Sequence, residues 1–262
     1  MDRTGGPPNN RMLIGTQEWT DIIRAGAGQL GITLSRNAEA QFAVHARELL
    51  LWNSKINLTA ITEPLAVAVK HYIDAIAPAD LIPPHSRLLD IGSGGGFPGI
   101  PLKIIQPSLR LTVMDAARKK ASFLNHAGRI LNLKDYRVLH LRIEKMRTAE
   151  GMLRACRATS IAAEPSRSGG LAPVAAVGPF DVVISRALAG LAEYLAMARP
   201  FIAEKGLIVA MKGRISEAEM SAARRLLSAM RPTKARAPEV SVRRYRLPVF
   251  ENERSIVAVK FE

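Results

Sequence analysis

The run LLDIGSGGGFPGIPLKII, Leu88 to Ile105, constrains this chain more than any other stretch. An apolar segment ends in an acid. Four glycines then fall within five positions (Gly92, Gly94, Gly95 and Gly96), and a helix-like apolar pattern resumes. Strand, glycine turn and helix in that order open a parallel βαβ unit. Downstream segments repeat the rhythm: RLLDIG, LRLTVMDA, YRVLHL, FDVVISRA and GLIVAMKG read as short buried strands. Helical stretches such as RKKASFLNHAGRILNL and LAEYLAMARPFI lie between most of them. The alternation predicts a doubly wound α/β sheet of Rossmann-like type. Its end differs, because SVRRYRLPVF and RSIVAVKFE are joined by a short polar turn, ENE. That pair predicts a C-terminal antiparallel hairpin closing the edge of the sheet.

Ahead of the sheet the pattern is helical. In AEAQFAVHARELLLWNSKINL, Phe42, Leu49 and Trp52 fall near one helical face, and EPLAVAVKHYIDAIAPA reads as a second amphipathic helix opened by Pro64. The expected organisation is a leader over 1–15 rich in Gly, Pro and Asn, an N-terminal helical cap over 16–80, and the α/β domain over 81–262. An Ala/Ser/Gly/Pro-rich insertion loop over 151–179 interrupts that domain. Aromatic residues are only 5% of the chain against 48% apolar overall, so the core should be aliphatic.

Three ligand classes compete for the glycine loop. A phosphate-binding P-loop needs a Gly-Lys-Ser/Thr ending, which is absent. A dinucleotide fingerprint needs glycine at 97, where Phe97 stands, and this disfavours a nicotinamide oxidoreductase. The D-x-G-x-G-x-G loop of S-adenosylmethionine enzymes fits at all four positions: Asp90, Gly92, Gly94 and Gly96. Asp115, nineteen residues past Gly96, ends the next strand, where an acid can accept hydrogens from both hydroxyls of a ribose. A merely flexible turn and a solvated strand-end acid are the plainer alternatives.

Missing motifs narrow the chemistry. Methylation at pyrimidine C5 needs a cysteine nucleophile on the scaffold, and the single cysteine, Cys156, falls in the insertion. Amino-group methylation calls for an Asn/Asp-Pro-Pro-aromatic motif after the fourth strand, where ISRALAG stands instead. The five histidines are scattered and suggest no metal cluster. An acceptor that is already nucleophilic remains, such as the proton-free N7 of guanine. Such an acceptor leaves catalysis to positioning and desolvation, with no general base.

The motifs DIGSGGGFPGIPL, LLWNSKINLTAI, VKHYIDAI, VISRALAGL, GLIVAMKG and ERSIVAVK together resemble the RsmG/GidB family. The resemblance runs from about residue 38 to the C-terminus, outside the insertion. It implies a class I methyltransferase fold and methyl transfer from S-adenosylmethionine to a guanine N7 in 16S ribosomal RNA. It also implies cofactor contacts at Gly92, at Phe97, at the adjacent pair Ile143 and Glu144, and at Arg186.

Charge agrees with a polyanionic partner: 37 Lys and Arg against 23 Asp and Glu leave +14. An anionic membrane surface is the rival reading, although no apolar run approaches the length of a span. Nine Lys/Arg lie between Ala117 and Arg147 and eight between Arg224 and Arg246. Candidate RNA contacts are therefore Arg118, Lys119, Arg243 and Arg244, with Lys70, His71 and Arg254 nearer the methyl donor. Arg186 and Lys212 end strands at the carboxyl edge and are candidates for gripping the target, with no catalytic duty assigned by chemistry alone. The N-terminus carries no secretory h-region, so a cytoplasmic monomer bound to the small ribosomal subunit is expected, with no metal. The alternatives are a methyltransferase of another substrate and a non-catalytic RNA-binding assembly factor.

Overall fold

The computed structural model describes residues 13–141, 179–230 and 236–261. Nearly all of the leader and of the insertion lies outside these residues. The first helix, α1 (Gln17–Gln29), is capped by Thr16, whose hydroxyl accepts from the Trp19 N–H. Helix α2 (Arg36–Asn53) is capped in the same way by Ser35. Three consecutive helical pieces follow, Pro64–Val67, the π-helical turn Ala68–Ile73 and Asp74–Ile76, here together α3. Pro64 opens it, as its missing N–H costs nothing there. The wide π turn at its centre was not legible in the sequence.

The sheet begins with β1 (Arg87–Ile91), followed by α4 (Gly99–Ile105), β2 (Arg110–Asp115), α5 (Arg118–Ile130) and β3 (Tyr136–His140). After the insertion come β4 (Phe180–Arg186), α6 (Leu191–Ala198), β5 (Ile202–Lys212) and α7 (Glu217–Ala229), and the chain ends with β6 (Glu239–Arg246) and β7 (Glu253–Lys260). Strand order is β3-β2-β1-β4-β5-β7-β6. All neighbours up to β5 are parallel, and β7 runs antiparallel between β5 and β6. The chain leaves β1 first toward one edge and later, through β4, toward the other. The crevice at the carboxyl ends of β1 and β4 is where such sheets bind ligands.

The strand period of two divides the core between the faces. Leu88, Val182, Ile184, Val209 and Met211 face one cluster with Trp19, Phe42, Tyr72, Ile100 and Phe123 from the cap, α4 and α5. Leu89, Ile91, Val183, Ile208 and Ala210 face the other with Leu191, Leu195, Met220 and Leu227 of α6 and α7. Burial on both faces is why the strands read as apolar runs rather than alternations. The cap therefore shares the first face with α4 and α5. Trp19, Phe42 and Tyr72 are fully buried there, and each such side chain stabilises by roughly 1.5–3 kcal/mol. Phe42→Ala, which opens a cavity beneath Tyr72, should cost about 3–5 kcal/mol.

One boundary and one helix differ from the sequence reading. The hairpin connection is Leu247–Asn252, not the ENE turn, because Pro248 cannot donate to a strand ladder. Helix α7 was not singled out, although Ser216 accepts from the Glu219 N–H in an S-x-x-E start.

Candidate active site

The site grows from the end of β1. Asp90 is fully buried, its Oδ2 accepts from the Gly99 N–H at 2.8 Å, and its Oδ1 has no partner among the described residues. Burial pushes its carboxyl up to about 7. The glycine loop then folds on its own backbone: the Gly92 and Ser93 N–H groups donate to Met114 O at 2.8 and 3.0 Å, and those of Gly96 and Phe97 to Ser93 O at 2.8 and 2.9 Å. Gly92, Gly94 and Gly96 all have positive φ, of 73°, 55° and 88°. A side chain on Gly96 would come within 2.4 Å of Ile100 Cδ1. At Gly94 it would meet nothing nearer than Gly92 O at 4.0 Å, so the backbone is bare there.

Asp115 closes the loop from the neighbouring strand. Its Oδ2 accepts from the Gly94 N–H at 3.0 Å and its Oδ1 from the Ala117 N–H at 2.8 Å. A carboxylate offers about four lone-pair positions, so about two stay available for a vicinal diol. A cavity of about 410 Å³ opens at this edge between Gly92, Met114, Asp115, Leu141, Arg186 and Leu188. A larger one, of about 650 Å³, lies between Arg214, Ser216 and Arg244 and touches none of these residues. Chemistry, not volume, locates the site. The bare Gly94 backbone, the diol-ready Asp115 and the orphaned Asp90 oxygen fit a nucleoside carrying a positive charge.

On the cap side of the loop sits a buried polar cluster. The Arg186 Nη1 donates to Lys70 O at 2.9 Å and to Asp74 Oδ2 at 3.2 Å, and Nη2 lies 3.1 Å from His71 Nδ1. Guanidinium has only donors, so His71 Nδ1 must accept. Its Nε2 therefore carries the proton and donates to Thr59 Oγ1 at 2.8 Å. The imidazole stacks on Phe97, with centroids 4.4 Å apart and planes 10° apart, and Arg186 lies 5.0 Å from the same ring. Burial, reinforced by the Arg186 charge, depresses His71 to about 2, so it is neutral. Asp74, 1% exposed, also accepts from Tyr245 Oη at 2.8 Å and lies 3.3 Å from Arg254 Nε. All three acceptors for Arg186 come from the π turn and the residue after it, so this unusual helix forms a clamp around one guanidinium.

The chain matches the family described as "GidB: rRNA small subunit methyltransferase G" over residues 38–166 and 174–246. The chain belongs to this family. A relative from Geobacter sp. (strain M21), named ribosomal RNA small subunit methyltransferase G, is 37% identical over 243 residues, covering 93% of this chain and 98% of the relative. One of the same name from Myxococcus xanthus (strain DK1622) is 34% identical over 237 residues, covering 90% and 94%. Among solved structures, an O-methyltransferase from Bacillus cereus in complex with SAH superposes with a TM-score of 0.51 at 16% identity, covering 93% of this chain and 99% of that one. That likeness bears on the fold, which is the class I methyltransferase sheet.

In this member of the methyltransferase G family, the structure brings some of the expected residues together and separates others. Gly92, Asp115 and Arg186 line one cavity, and Asp90, Gly94 and Gly96 build the loop beside it. Phe97, 4% exposed, does not line the cavity and packs its ring toward His71 and Tyr72. Ile143 and Glu144 lie outside the described residues, as do Arg142, Lys145 and Arg147 of the first basic run and Arg231 and Lys234 of the second.

The basic candidates divide more sharply. His71 is 5% exposed and holds Arg186, so it offers no surface to a polymer. Lys212 spends its ammonium on Ala189 O at 2.5 Å and Glu219 at 3.0 Å, pinning the loop after β4. Arg243 reaches back to Asp80 and to Ala77 O at 2.6 Å, which staples β6 to the cap. Arg254 is half-buried beside Asp74, and Lys70 stands 4.1 Å from the Phe250 ring centroid. Arg118, Lys119 and Arg244 are exposed. Asp74 and Tyr245 were not anticipated, nor was His45, which is fully buried against Phe97 with its Nδ1 2.9 Å from Tyr72 Oη. The spacing of Lys70, His71 and Asp74 within VKHYIDAI was the available signal, hidden because helical spacing alone does not reveal a π turn.

Proposed function

We propose that the chain transfers a methyl group from S-adenosylmethionine to N7 of a guanine in 16S ribosomal RNA of the small subunit. The observation that carries this reading is the closed glycine loop. Asp115, Gly94 and a cavity at the carboxyl edge form a nucleoside seat in a chain of the rRNA methyltransferase G family. When bound, S-adenosylmethionine supplies an electrophilic methyl group on a sulfonium centre. The chain's own residues then have to position and to exclude water. Asp115 keeps its loop-facing bonds while presenting free lone pairs to a ribose. Asp90, buried and half-satisfied, favours a cation nearby when ionised. Arg186, held by the π turn beside the loop, keeps donor capacity for which guanine O6 is a suitable acceptor.

Guanine N7 carries a lone pair and no proton at neutral pH. No base is needed, and this accords with the neutral, donor-engaged state of His71. The start of α5 supports a polyanionic partner. Its first turn holds Arg118, Lys119 and Lys120, with no acid and no side-chain cap. Like charge at the positive end of a helix is unfavourable by itself, and it becomes favourable once phosphates approach.

Small subunits from cells lacking the protein and from wild-type cells, incubated with labelled S-adenosylmethionine, provide the test. Label should enter only the former, with one aniline-sensitive cleavage site marking 7-methylguanine. Label in protein, or in a base without such cleavage, would replace this reading.

A further inference from the structure

The connection between β6 and β7 is strained where strain is easiest to avoid. Val249 has φ of 69° and Glu251 of 51°, and neither is glycine. A β-branched residue in the left-handed region is a steric outlier. The Phe250 N–H donates to Pro248 O at 2.8 Å, a three-residue turn centred on Val249, and Leu247 exchanges bonds with Asn252 and Glu251 around it. A connection serving only to reverse the chain would carry glycine or asparagine at these positions.

The turn is also buttressed. Leu247 is buried against Val69 and Ile73 of the π turn, and Phe250 packs on the same cluster under the Lys70 ammonium. Between these two anchors Val249 projects into solvent, 63% exposed, so an apolar side chain is held out on a rigid support. Its position is informative as well. Ser255 of β7 pairs with Lys212 at the end of β5, so the turn lies beyond the carboxyl ends of the strands, on the edge that carries the cavity. Lys70, which covers Phe250, gives its carbonyl to Arg186. The charged neighbours are Lys70, Arg246 and Arg254, against Glu251, which lies 3.6 Å from Arg246, Glu253, which pairs with Arg246 across the strands, and the buried Asp74 beside Arg254.

We infer that the β6–β7 turn is an RNA-contacting wedge, with Val249 inserted against a base beside the target guanine. This rests on the function proposed above. Apolar side chains that unstack bases are set beside cationic ones that hold the backbone, and a wedge must keep its shape when pushed into a stack. A strained, anchored turn does so, and a glycine turn does not.

Three variants test it: Val249→Gly, which relieves the strain and removes the wedge, Val249→Ala, which removes bulk, and Val249→Ile, which keeps an apolar β-branched tip. Methyl transfer to unmodified small subunits, S-adenosylhomocysteine affinity by calorimetry and melting temperature are read for each. Val249→Gly should melt at or above the wild-type temperature and bind S-adenosylhomocysteine equally well, while kcat/KM falls about tenfold or more. Val249→Ala should fall in between, and Val249→Ile should stay within about threefold of wild type. Turnover of Val249→Gly within about twofold of wild type overturns the wedge alone. Loss of S-adenosylhomocysteine binding in that variant also overturns it, since the turn would then act through the cavity. A wild-type chain that methylates no small-subunit RNA overturns the function on which the wedge rests.

Discussion

Gly94 gives its backbone N–H to Asp115 Oδ2 at 3.0 Å, so the acid at the end of the second strand holds the loop after the first. On the proposed function, removing that carboxylate costs twice, in loop geometry and in capture of the ribose diol. Asp115→Asn keeps one acceptor oxygen, and Asp115→Ala keeps none. Hydrogen bonds to a charged group are worth about 1.5–3 kcal/mol each, and the Ala variant, which loses two of them, should lose S-adenosylhomocysteine affinity by about a hundredfold or more, with Asn intermediate. Calorimetric titration decides the matter. Wild-type affinity in Asp115→Ala would remove the acid from the site.

Asp74 and Arg186 should separate stability from turnover. Asp74 serves Arg186, Tyr245 and Arg254 at once in a buried setting. Asp74→Ala leaves two guanidinium groups without their shared counter-charge and should cost about 3–5 kcal/mol of stability. Arg186→Ala leaves Asp74 with Tyr245 and Arg254, so the fold survives. Its turnover should fall by about 10²-fold or more, and Arg186→Lys should not restore it, because an ammonium lacks the planar fork. Near-normal methylation by Arg186→Ala would dismiss the clamp as structural.

Three buried groups set the acid limb of stability. Burial depresses His71 to about 2 and His45 to about 3 and raises Asp90 to about 7. Between about pH 5 and 6 the unfolded chain holds protons on both histidines and none on Asp90, and the folded chain holds one on Asp90 alone. Unfolding therefore takes up about one net proton, and stability rises with pH by about 1.4 kcal/mol per unit. Asp90→Asn removes the opposing contribution and should raise the uptake to about two protons. Urea midpoints across that range report the slope, and an unchanged slope in Asp90→Asn would show that Asp90 is ionised in the fold.

RNA affinity should distinguish arginines that look alike in sequence. Arg118 and Lys119 are exposed at an uncapped helix start, and Arg243 is bound to Asp80 and Ala77 O. Neutralising either of the first two should reduce the slope of log affinity against log salt by about 0.7, as for single-stranded RNA. Arg243→Ala should leave that slope alone and lower the melting temperature instead. Filter binding at several salt concentrations measures the one, and a thermal scan measures the other.

The parallel strands, the hairpin and the loop Asp90–Gly96 were all legible because each is specified locally. Apolar runs bounded by turns mark buried strands, and glycines at alternate positions mark a backbone that must turn with positive φ. The roles of single charged residues were not legible. Arg243 and Arg244 are adjacent in sequence, but in a strand they point to opposite faces, one to the cap and one away from it. His71 reads as a surface candidate until Phe97, Thr59 and Arg186 enclose it.

The sequence by itself determined the alternation of strands and helices, the largely aliphatic core of the sheet and the strand–glycine turn–helix loop, and its net charge of +14 set the expectation of a polyanionic partner. These follow from periodicity, glycine placement and net charge, all of which add up along the chain. Only the tertiary structure decided which cations are spent internally, that a π turn grips Arg186 and that Val249 is held out on a strained turn. Such properties depend on distances between segments more than a hundred residues apart, as between Lys70 and Arg186, and local patterns carry no information about them.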